Sequence, residues 1–585
     1  MVHIISRKVR VCVAAALALA ATAALAQDAG GHPQDLAVYA NPLVGTDAAQ
    51  PDFGTGGGAG NTFPGPTLPF GMVQFSPETD PSRVNYTGGY TYSDSTIRGF
   101  SLTHFSGAGC GIFQDLPLVP TTEQVTESPA RPGSANLKDQ FLARFDHAHE
   151  EATPGYYRVR LNPTTTSPVD VELTTATRTG IARLTFPGTP QASVLLNAGG
   201  SAMANDSVRV SIDPARREVS GEATSGRFCY QANKYTVYFS AEFSHPFSAY
   251  GTWESGQLYP GSTDAQATAV IPYPAPFEMA PPGTPTSPYP RPSGTAQGGA
   301  YVTFDTTRER VVEARVGISF VSVENARENL WADTRGRSFD AVRRAARAEW
   351  NDTLGRIEVT GGSRADLRVF YTALYHSLLG ANVFSDANGE YFGFDGKVHR
   401  AAGFTKYATY SGWDTYRTQI PLVAILFPDR ASDMVQSLVV DAKESGWLPK
   451  WSQAATHTNV MVGDPADPII ASAYALGARR FDTAAALDAM VKGATRYERA
   501  ETDRWRYVER PGNVEYQTLG YVPHEEDVLG ATPIAAVTPF VDPGLVWGSA
   551  ATTLEYTVAD CAIAQFASAL SKEDVAATFL KRADN

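Results

Sequence analysis

The apolar residues of this chain repeat with a period of two up to about residue 323 and with a helical period from about residue 363. A strand-period segment does not settle as a helix, nor the reverse, so the chain must fold as a β part followed by an α part. In the first part Val208, Val210 and Ile212 alternate with polar neighbours, as do Tyr235, Val237, Phe239, Ala241 and Phe243. Such runs recur between Gly-, Pro- and Asn-rich breaks, the pattern of an antiparallel β-sandwich. In the second part Leu367, Phe370, Tyr371, Leu374 and Leu378 share one helical face, with Gly380 as the expected stop and Ser363 with Asp366 as a capping pair. Further helices are expected to start near Trp413, Ser432, Ala466, Asp482 and Thr553. Helices alternating with long loops rich in Trp, Gly, Asp and Pro suggest an α/α toroid whose loops gather into a cleft. The expected organisation is a sandwich over 27–323, a charged helical linker over 324–362 and a toroid over 363–585. A Pro-rich excursion at about 271–294 interrupts the sandwich.

The first 26 residues read as an export signal. Arg7, Lys8 and Arg10 precede an apolar run from Val11 to Leu25, and cleavage is expected near Ala26/Gln27. No other stretch approaches a membrane span. The expected location is therefore secreted or periplasmic. A net charge of −13 argues against a nucleic-acid partner. Cys110, Cys229 and Cys561 are an odd number scattered along the chain, which reads neither as a disulfide framework nor as a zinc site.

The stretch Asn61 to Thr79 holds four prolines, two glycines, three phenylalanines, one acid and no base. Proline fixes φ and glycine releases it, so this run specifies one loop path. A loop this apolar must be packed or must line a site. Further on, Asp386 to Glu390 has calcium-like residues, but its length fits a β-turn rather than a cation loop.

Chemistry-bearing motifs follow in order: Gly89-Tyr-Thr-Tyr-Ser-Asp94, Ile97-Arg-Gly-Phe-Ser-Leu-Thr-His104, Phe105-Ser-Gly-Ala-Gly-Cys-Gly111, Gly412-Trp-Asp-Thr-Tyr-Arg417, Trp447-Leu-Pro-Lys-Trp451, Met461-Val-Gly-Asp-Pro465, Gly520-Tyr-Val-Pro-His-Glu525 and Thr553-Leu-Glu-Tyr556. In this order they resemble glycoside hydrolase family 92, the calcium-dependent bacterial exo-α-mannosidases, from about Asn41 to the last residue. The resemblance implies a β-sandwich followed by an (α/α)6 barrel, with the site between them. It implies removal of terminal α-mannose, α-1,2-linked in many members, from mannose-containing glycans or glycoproteins with inversion. Inversion needs an acid and a base roughly 6.5–9.5 Å apart. Calcium would hold sugar hydroxyls as a hard, oxygen-seeking ion.

Residue by residue, Trp413 and Asp414 match the family's pair in the −1 sugar pocket, with an indole platform and a carboxylate acceptor. The bare sequence reads them equally well as a helix start. His524 and Glu525 match a pair at the +1 sugar, or belong to a solvated acidic loop. Glu555 matches a position beside calcium, with Asp560 a second metal candidate. Thr552 and Glu555 also have capping-box spacing. Phe63, Pro64 and Gly65 are expected near the −1 sugar.

Two positions depart from the family. His457 stands where the family has its general-acid glutamate. It could act as an imidazolium, pair with a phosphate leaving group, or be a loop residue. The family's general base lies in a segment beyond the last residue, so the base is absent from this chain. The sequence therefore reads as C-terminally incomplete, with a truncated barrel. The alternatives are a mannosyl-phosphodiester hydrolase, a catalytically inactive glycan-binding protein, or an amidase cutting glycan from asparagine.

Overall fold

In a computed structural model the strand-period segments form two antiparallel sheets. The structure describes residues 35–47, 61–80, 87–107, 110–271, 294–523, 544, 546 and 548–585. One sheet runs, in spatial order, Ser76–Asp80, Thr96–Ser101, Leu118–Thr121, Ala192–Leu196, Gly298–Phe304, Ala249–Glu254 and Gln257–Pro260, with Ala143–Arg144 paired to its second strand. The other has nine strands, from Asp264–Thr268 through Ser207–Asp213, Glu218–Gly226, Lys234–Phe243, Val311–Ser319, Thr179–Thr185, Val169–Thr175 and Tyr156–Leu161 to Glu150–Thr153. The alternating residues Val208, Val210 and Ile212 all point inward and are buried, as are Tyr235, Val237, Phe239, Ala241 and Phe243. The sheets meet so closely that a Cβ on Gly298 would lie 2.8 Å from Val208 and one on Gly180 would lie 2.7 Å from Phe75.

The expected linker is a third layer. Helices Val323–Thr334 and Phe339–Leu354 start on Ser322 and Ser338, whose side chains accept from the third backbone N–H of each helix. The first helix lies on the nine-stranded sheet, with Ala326 and Leu330 against Gly317. The second adds Phe339 and Val342 to a cluster with Tyr156, Ala176 and Ile181. A tether would not bury these faces.

The remaining helices follow the helical period. Arg364–His376 begins at a complete Ser363–Asp366 capping box, and ends four residues ahead of Gly380. Pro428–Ser445, Ala466–Ala475, Thr483–Thr495, Ser549–Ala569 and Glu573–Arg582 make up the larger helices after it. Thr552 and Glu555 sit inside the helix Ser549–Ala569, whose N-cap is Gly548. They therefore make no capping box. Asp386 to Gly389 closes as a turn, with Gly389 N–H donating to the Asp386 carbonyl at 2.9 Å. The Asp386 carboxylate accepts from Ser319, Asn325 and Asn329, so it is the anchor of a turn and not a cation ligand.

Ala37–Asn585 form one compact unit, and the loop from Asn61 joins its β and α parts. Toward the sandwich, Met72 N–H donates to the Thr177 carbonyl at 2.9 Å and Gln74 N–H to that of Leu102 at 2.9 Å. Toward the helices, Phe70 N–H donates to Leu378 at 3.1 Å and its carbonyl accepts from Val383 at 2.8 Å. Trp350 Nε1–H donates to the Thr67 carbonyl at 2.7 Å. Gly65 is compulsory here, since a Cβ would sit 2.2 Å from the Phe75 carbonyl oxygen.

The one acid of the stretch, Glu78, anchors its end. It is fully buried and takes hydrogen bonds from His104 Nε2 at 2.8 Å, Arg98 at 3.0 Å and the Ser101 hydroxyl. Burial pushes its carboxyl up, but the charges and hydrogen bonds of His104, Arg98 and Ser101 outweigh this and hold it below the usual range. A lowered folded pKa stabilises above the unfolded value and loses that stability as pH falls through the folded pKa.

Cys110 and Cys229 form a disulfide across 119 residues. This corrects the reading of the cysteines to the extent of one pair, with Cys561 left free. It joins the loop carrying Phe105 to the loop carrying Phe228. No helix among the described residues is long and apolar enough to cross a membrane. Residues 1–26, and 272–293 of the Pro-rich excursion, lie outside the described residues.

Two outcomes follow. Glu78→Gln strands Arg98 in the core and should cost roughly 3–5 kcal/mol at neutral pH. The difference from wild type should shrink as urea unfolding is repeated toward acid pH. Cys110→Ser with Cys229→Ser should lower stability by about 2–4 kcal/mol, read as a lower melting temperature that reductant reproduces in the wild type.

Candidate active site

Both halves supply aromatic walls at the junction. On the sandwich side Phe63 lies 5.4 Å from the His104 ring, Thr62 shares a 3.0 Å hydrogen bond with Ser106, and Gly107 N–H donates to the Asn61 carbonyl. On the helical side Trp451 packs 5.5 Å from Phe228 and 6.2 Å from Phe105. The disulfide therefore fixes the two rings that receive Trp451.

Trp451 also positions the Trp413 segment. Ser411 bridges to Trp451, and Gly412 packs where a Cβ would be 2.3 Å from the Lys450 carbonyl. The short helix Gly412–Thr415 begins there. It presents Trp413 half-buried and Asp414 exposed. The Trp413 Nε1–H is buried with no protein partner. Asp414 accepts from the Ser411 hydroxyl. Desolvation by its surroundings raises the Asp414 carboxyl above the usual range, against the lowering effects of Ser411 and Arg417.

Glu555 reaches this face from the helix Ser549–Ala569. It accepts from Tyr416 Oη at 2.9 Å and Arg417 at 2.8 Å. The Arg417 guanidinium lies 4.8 Å from the Trp413 ring and its Nε–H donates to the Trp413 carbonyl. Arg417 is the residue that ties Trp413 to Glu555. The spacing of Trp-Asp-x-Tyr-Arg contains this signal, because residues four apart on a helix are neighbours. The loop after His457 completes the face, since a Cβ on Gly463 would meet Glu555 at 2.7 Å. Asn459 (φ 56°) and Met461 (φ 67°) take left-handed backbone there, a strain that persists where surrounding packing imposes it.

The other sequence candidates fall elsewhere. Phe63, Pro64 and Gly65 are buried, Phe63 to 1% exposure. They belong to the buried wall at the junction, with no surface offered to a sugar. Asp560, fully buried, takes Arg510 at 2.8 Å, Arg582 at 2.9 Å and Tyr516 Oη at 3.1 Å. Arg510 also binds Asp464 and Asp467. Asp560 is thus the partner of two guanidinium groups and does not fit a calcium ligand. Glu555 is the anion of the Arg417 pair, and no cluster of three His, Cys, Asp or Glu ligands includes it among the described residues. A single paired carboxylate falls short of the roughly six to eight oxygens that calcium takes. His524 and Glu525 lie outside the described residues.

His457 is boxed by three rings. It stacks on Tyr507 at 3.8 Å and 5°, with Trp505 and Phe394 edge-on at 4.7 Å each. Neither ring nitrogen has a protein partner, and the residue is 1% exposed. Burial, with the Lys450 charge, holds its pKa well below 6.5. The imidazole is neutral at neutral pH, so the expectation of a protonated donor, or of a phosphate-pairing cation, does not fit its environment.

A model of the glycosyl hydrolase family 92 N-terminal domain matches residues 39–319, and one of the family 92 catalytic domain matches residues 325–585. This chain belongs to glycosyl hydrolase family 92. A family GH92 alpha-mannosidase from Bacteroides thetaiotaomicron superposes with a TM-score of 0.76 at 26% identity, over 94% of this chain and 65% of its own. A family GH92 inverting mannosidase from the same organism gives 0.74 at 28%, over 95% and 65%. A curated relative, an uncharacterized secreted glycosidase from Arthroderma benhamiae, is 24% identical over 93% of this chain and 61% of its own length. The chain spans 61–65% of the length of these three relatives. The family's two domains divide between residues 319 and 325, where the sandwich gives way to its first covering helix.

The box around His457 makes a pH-dependent prediction. A histidine with a lowered folded pKa takes up its proton on unfolding, so it costs stability as pH falls below about 6.5. His457→Phe should therefore gain on wild type between pH 7.5 and pH 5 in urea unfolding. A relative loss at pH 5 would show that the native state holds the imidazolium.

Proposed function

We propose that this chain forms the mannose-recognising part of a secreted exo-α-mannosidase, which removes terminal α-linked mannose, α-1,2 first among linkages, from N-glycans or mannans with inversion. The observation that carries the reading is the Trp413–Asp414 face with its Arg417–Glu555 brace. An indole offers an apolar platform, and an accessible carboxylate accepts from neighbouring sugar hydroxyls. Family membership and the mannosidase relatives support the substrate class, and the disulfide agrees with an oxidising compartment.

The residues divide the work by position. Trp413 carries the ring face of the sugar. Asp414, whose carboxyl is partly desolvated, bonds hydroxyls more strongly than it would in open water. Arg417 holds Trp413 and Glu555 in register, so the two walls meet the sugar already oriented. Calcium, where bound in the family, holds sugar hydroxyls; no step here is assigned to it, because Glu555 and Asp560 do not assemble its ligand set.

A second reading, glycan binding without turnover, is favoured by one observation: the acid position carries a neutral, ring-enclosed His457. The amidase alternative lacks a nucleophile at Cys110 or Cys229, which are joined to each other.

The test is incubation of the protein with an α-1,2-mannobioside and with a mannosyl phosphodiester, with and without calcium, reading free mannose, alongside calorimetry with mannose. Release by the full-length enzyme is expected, with Asp414→Asn and Trp413→Ala each lowering kcat/KM by about 10²-fold. Binding without release selects the second reading. Neither binding nor release overturns both.

A further inference from the structure

A hairpin and a helix end bring one imidazole and two carboxylates together. Strands Glu390–Phe392 and Val398–Arg400 pair with Tyr391 opposite His399. The turn between them closes with Gly393 N–H donating to the Lys397 carbonyl at 2.8 Å, which carries Asp395 back over His399. Glu444 comes from the last turn of the helix Pro428–Ser445. His399 Nε2 lies 2.9 Å from Asp395 Oδ1 and 3.9 Å from Glu444 Oε1, and one ligating atom from each of the three residues lies within 4.8 Å of the others.

Each group is held from behind. Glu444 accepts from Tyr391 Oη at 2.7 Å and from the Phe394 N–H at 3.0 Å. The His399 ring stacks on Tyr391 at 5.7 Å, and Asp395 accepts from the Lys397 N–H at 3.1 Å. Such outer partners orient metal ligands. The cradle is also kept clear. A Cβ on Gly393 would lie 2.6 Å from His399, 2.7 Å from Glu444 and 2.9 Å from Asp395. All three groups converge on the spot that a side chain would fill. Asp395 and His399 are part-exposed, which leaves room for water to complete a coordination shell. Two cations border the site. Lys397 Nζ lies 3.5 Å from Asp395, and Arg504 is committed to the Gly393 and Phe394 carbonyls.

We propose that Asp395, His399 and Glu444 bind a divalent transition-metal ion, such as zinc or cobalt. Ligands about 2.0–2.2 Å from such an ion stand roughly 3–3.5 Å from one another. The present separations of 2.9 and 3.9 Å bracket that range. The ion would take the place of the hydrogen bond between His399 Nε2 and Asp395 Oδ1. An imidazole with two carboxylates suits zinc, cobalt or nickel, whereas calcium seeks oxygen alone. The bound ion would pin the turn that carries Phe394, whose ring packs 4.7 Å from His457.

The test uses the full chain stripped with a chelator. Zinc is titrated by calorimetry and cobalt by its visible absorption. Wild type should take up one tight equivalent, with a cobalt band, and added calcium should not displace it. His399→Ala should lose that equivalent, with affinity falling at least roughly 100-fold, and Glu444→Gln should do the same while the melting temperature without metal confirms a folded protein. His399 lies on an exposed hairpin, so it decides the matter if Glu444→Gln does not fold. No uptake by wild type, or uptake of the same stoichiometry and affinity by His399→Ala, overturns the proposal.

Discussion

The loop from Asn61 to Glu78 divides its backbone hydrogen bonds between the two halves of the protein, and the site depends on that division. One stretch of chain satisfies Thr177 and Leu102 on the sandwich and Leu378, Val383 and Trp350 on the helical side. A buried backbone group must find a partner, so neither half can shift without leaving such groups unmet. Glu78 fixes the end of the loop through His104 and Arg98, and the His104 ring in turn packs 5.4 Å from that of Phe63. The wall and the joint are thus the same set of residues.

From that joint the functional face is built outward. The disulfide holds the Phe105 and Phe228 loops, both rings receive Trp451, and Trp451 bridges to Ser411 at the start of the Trp413 helix. The face itself needs one more contact from far along the chain, Glu555, brought in by Arg417 and Tyr416. Behind it lies a charged interior in which Arg510 holds Asp464, Asp467 and Asp560 together. That network ties the segment after Met461 to the helices Ser549–Ala569 and Glu573–Arg582. It explains why acids that look ligand-like in sequence are occupied in the fold.

The fold was legible wherever one element's own period decides its burial. The strands around Val210 and Phe239 and the helix from Arg364 with its Ser363 cap were readable from spacing alone. So was the importance of the apolar loop, and the order of motifs pointed to the family. What could not be read was what lies beside a residue in space. His457 is enclosed by Phe394 from one stretch and by Trp505 and Tyr507 from another. Cys110 finds Cys229 across 119 residues. Glu555 lies in a motif whose family resemblance implies a cation beside it, while its partner Arg417 sits 138 positions away. The helices of 324–362 are legible as helices, but their role as a layer depends on a sheet face that only the fold assembles.

The central claim is that sugar is recognised on the face formed by Trp413, Asp414 and Glu555. Hydrogen–deuterium exchange of the protein with and without a methyl α-mannoside tests it most directly. The account predicts slower exchange in 411–417, in 459–463 and in the first turns of the helix Ser549–Ala569, with the core of the nine-stranded sheet unchanged. Protection confined to other segments, with these three unaffected at saturating sugar, would contradict it.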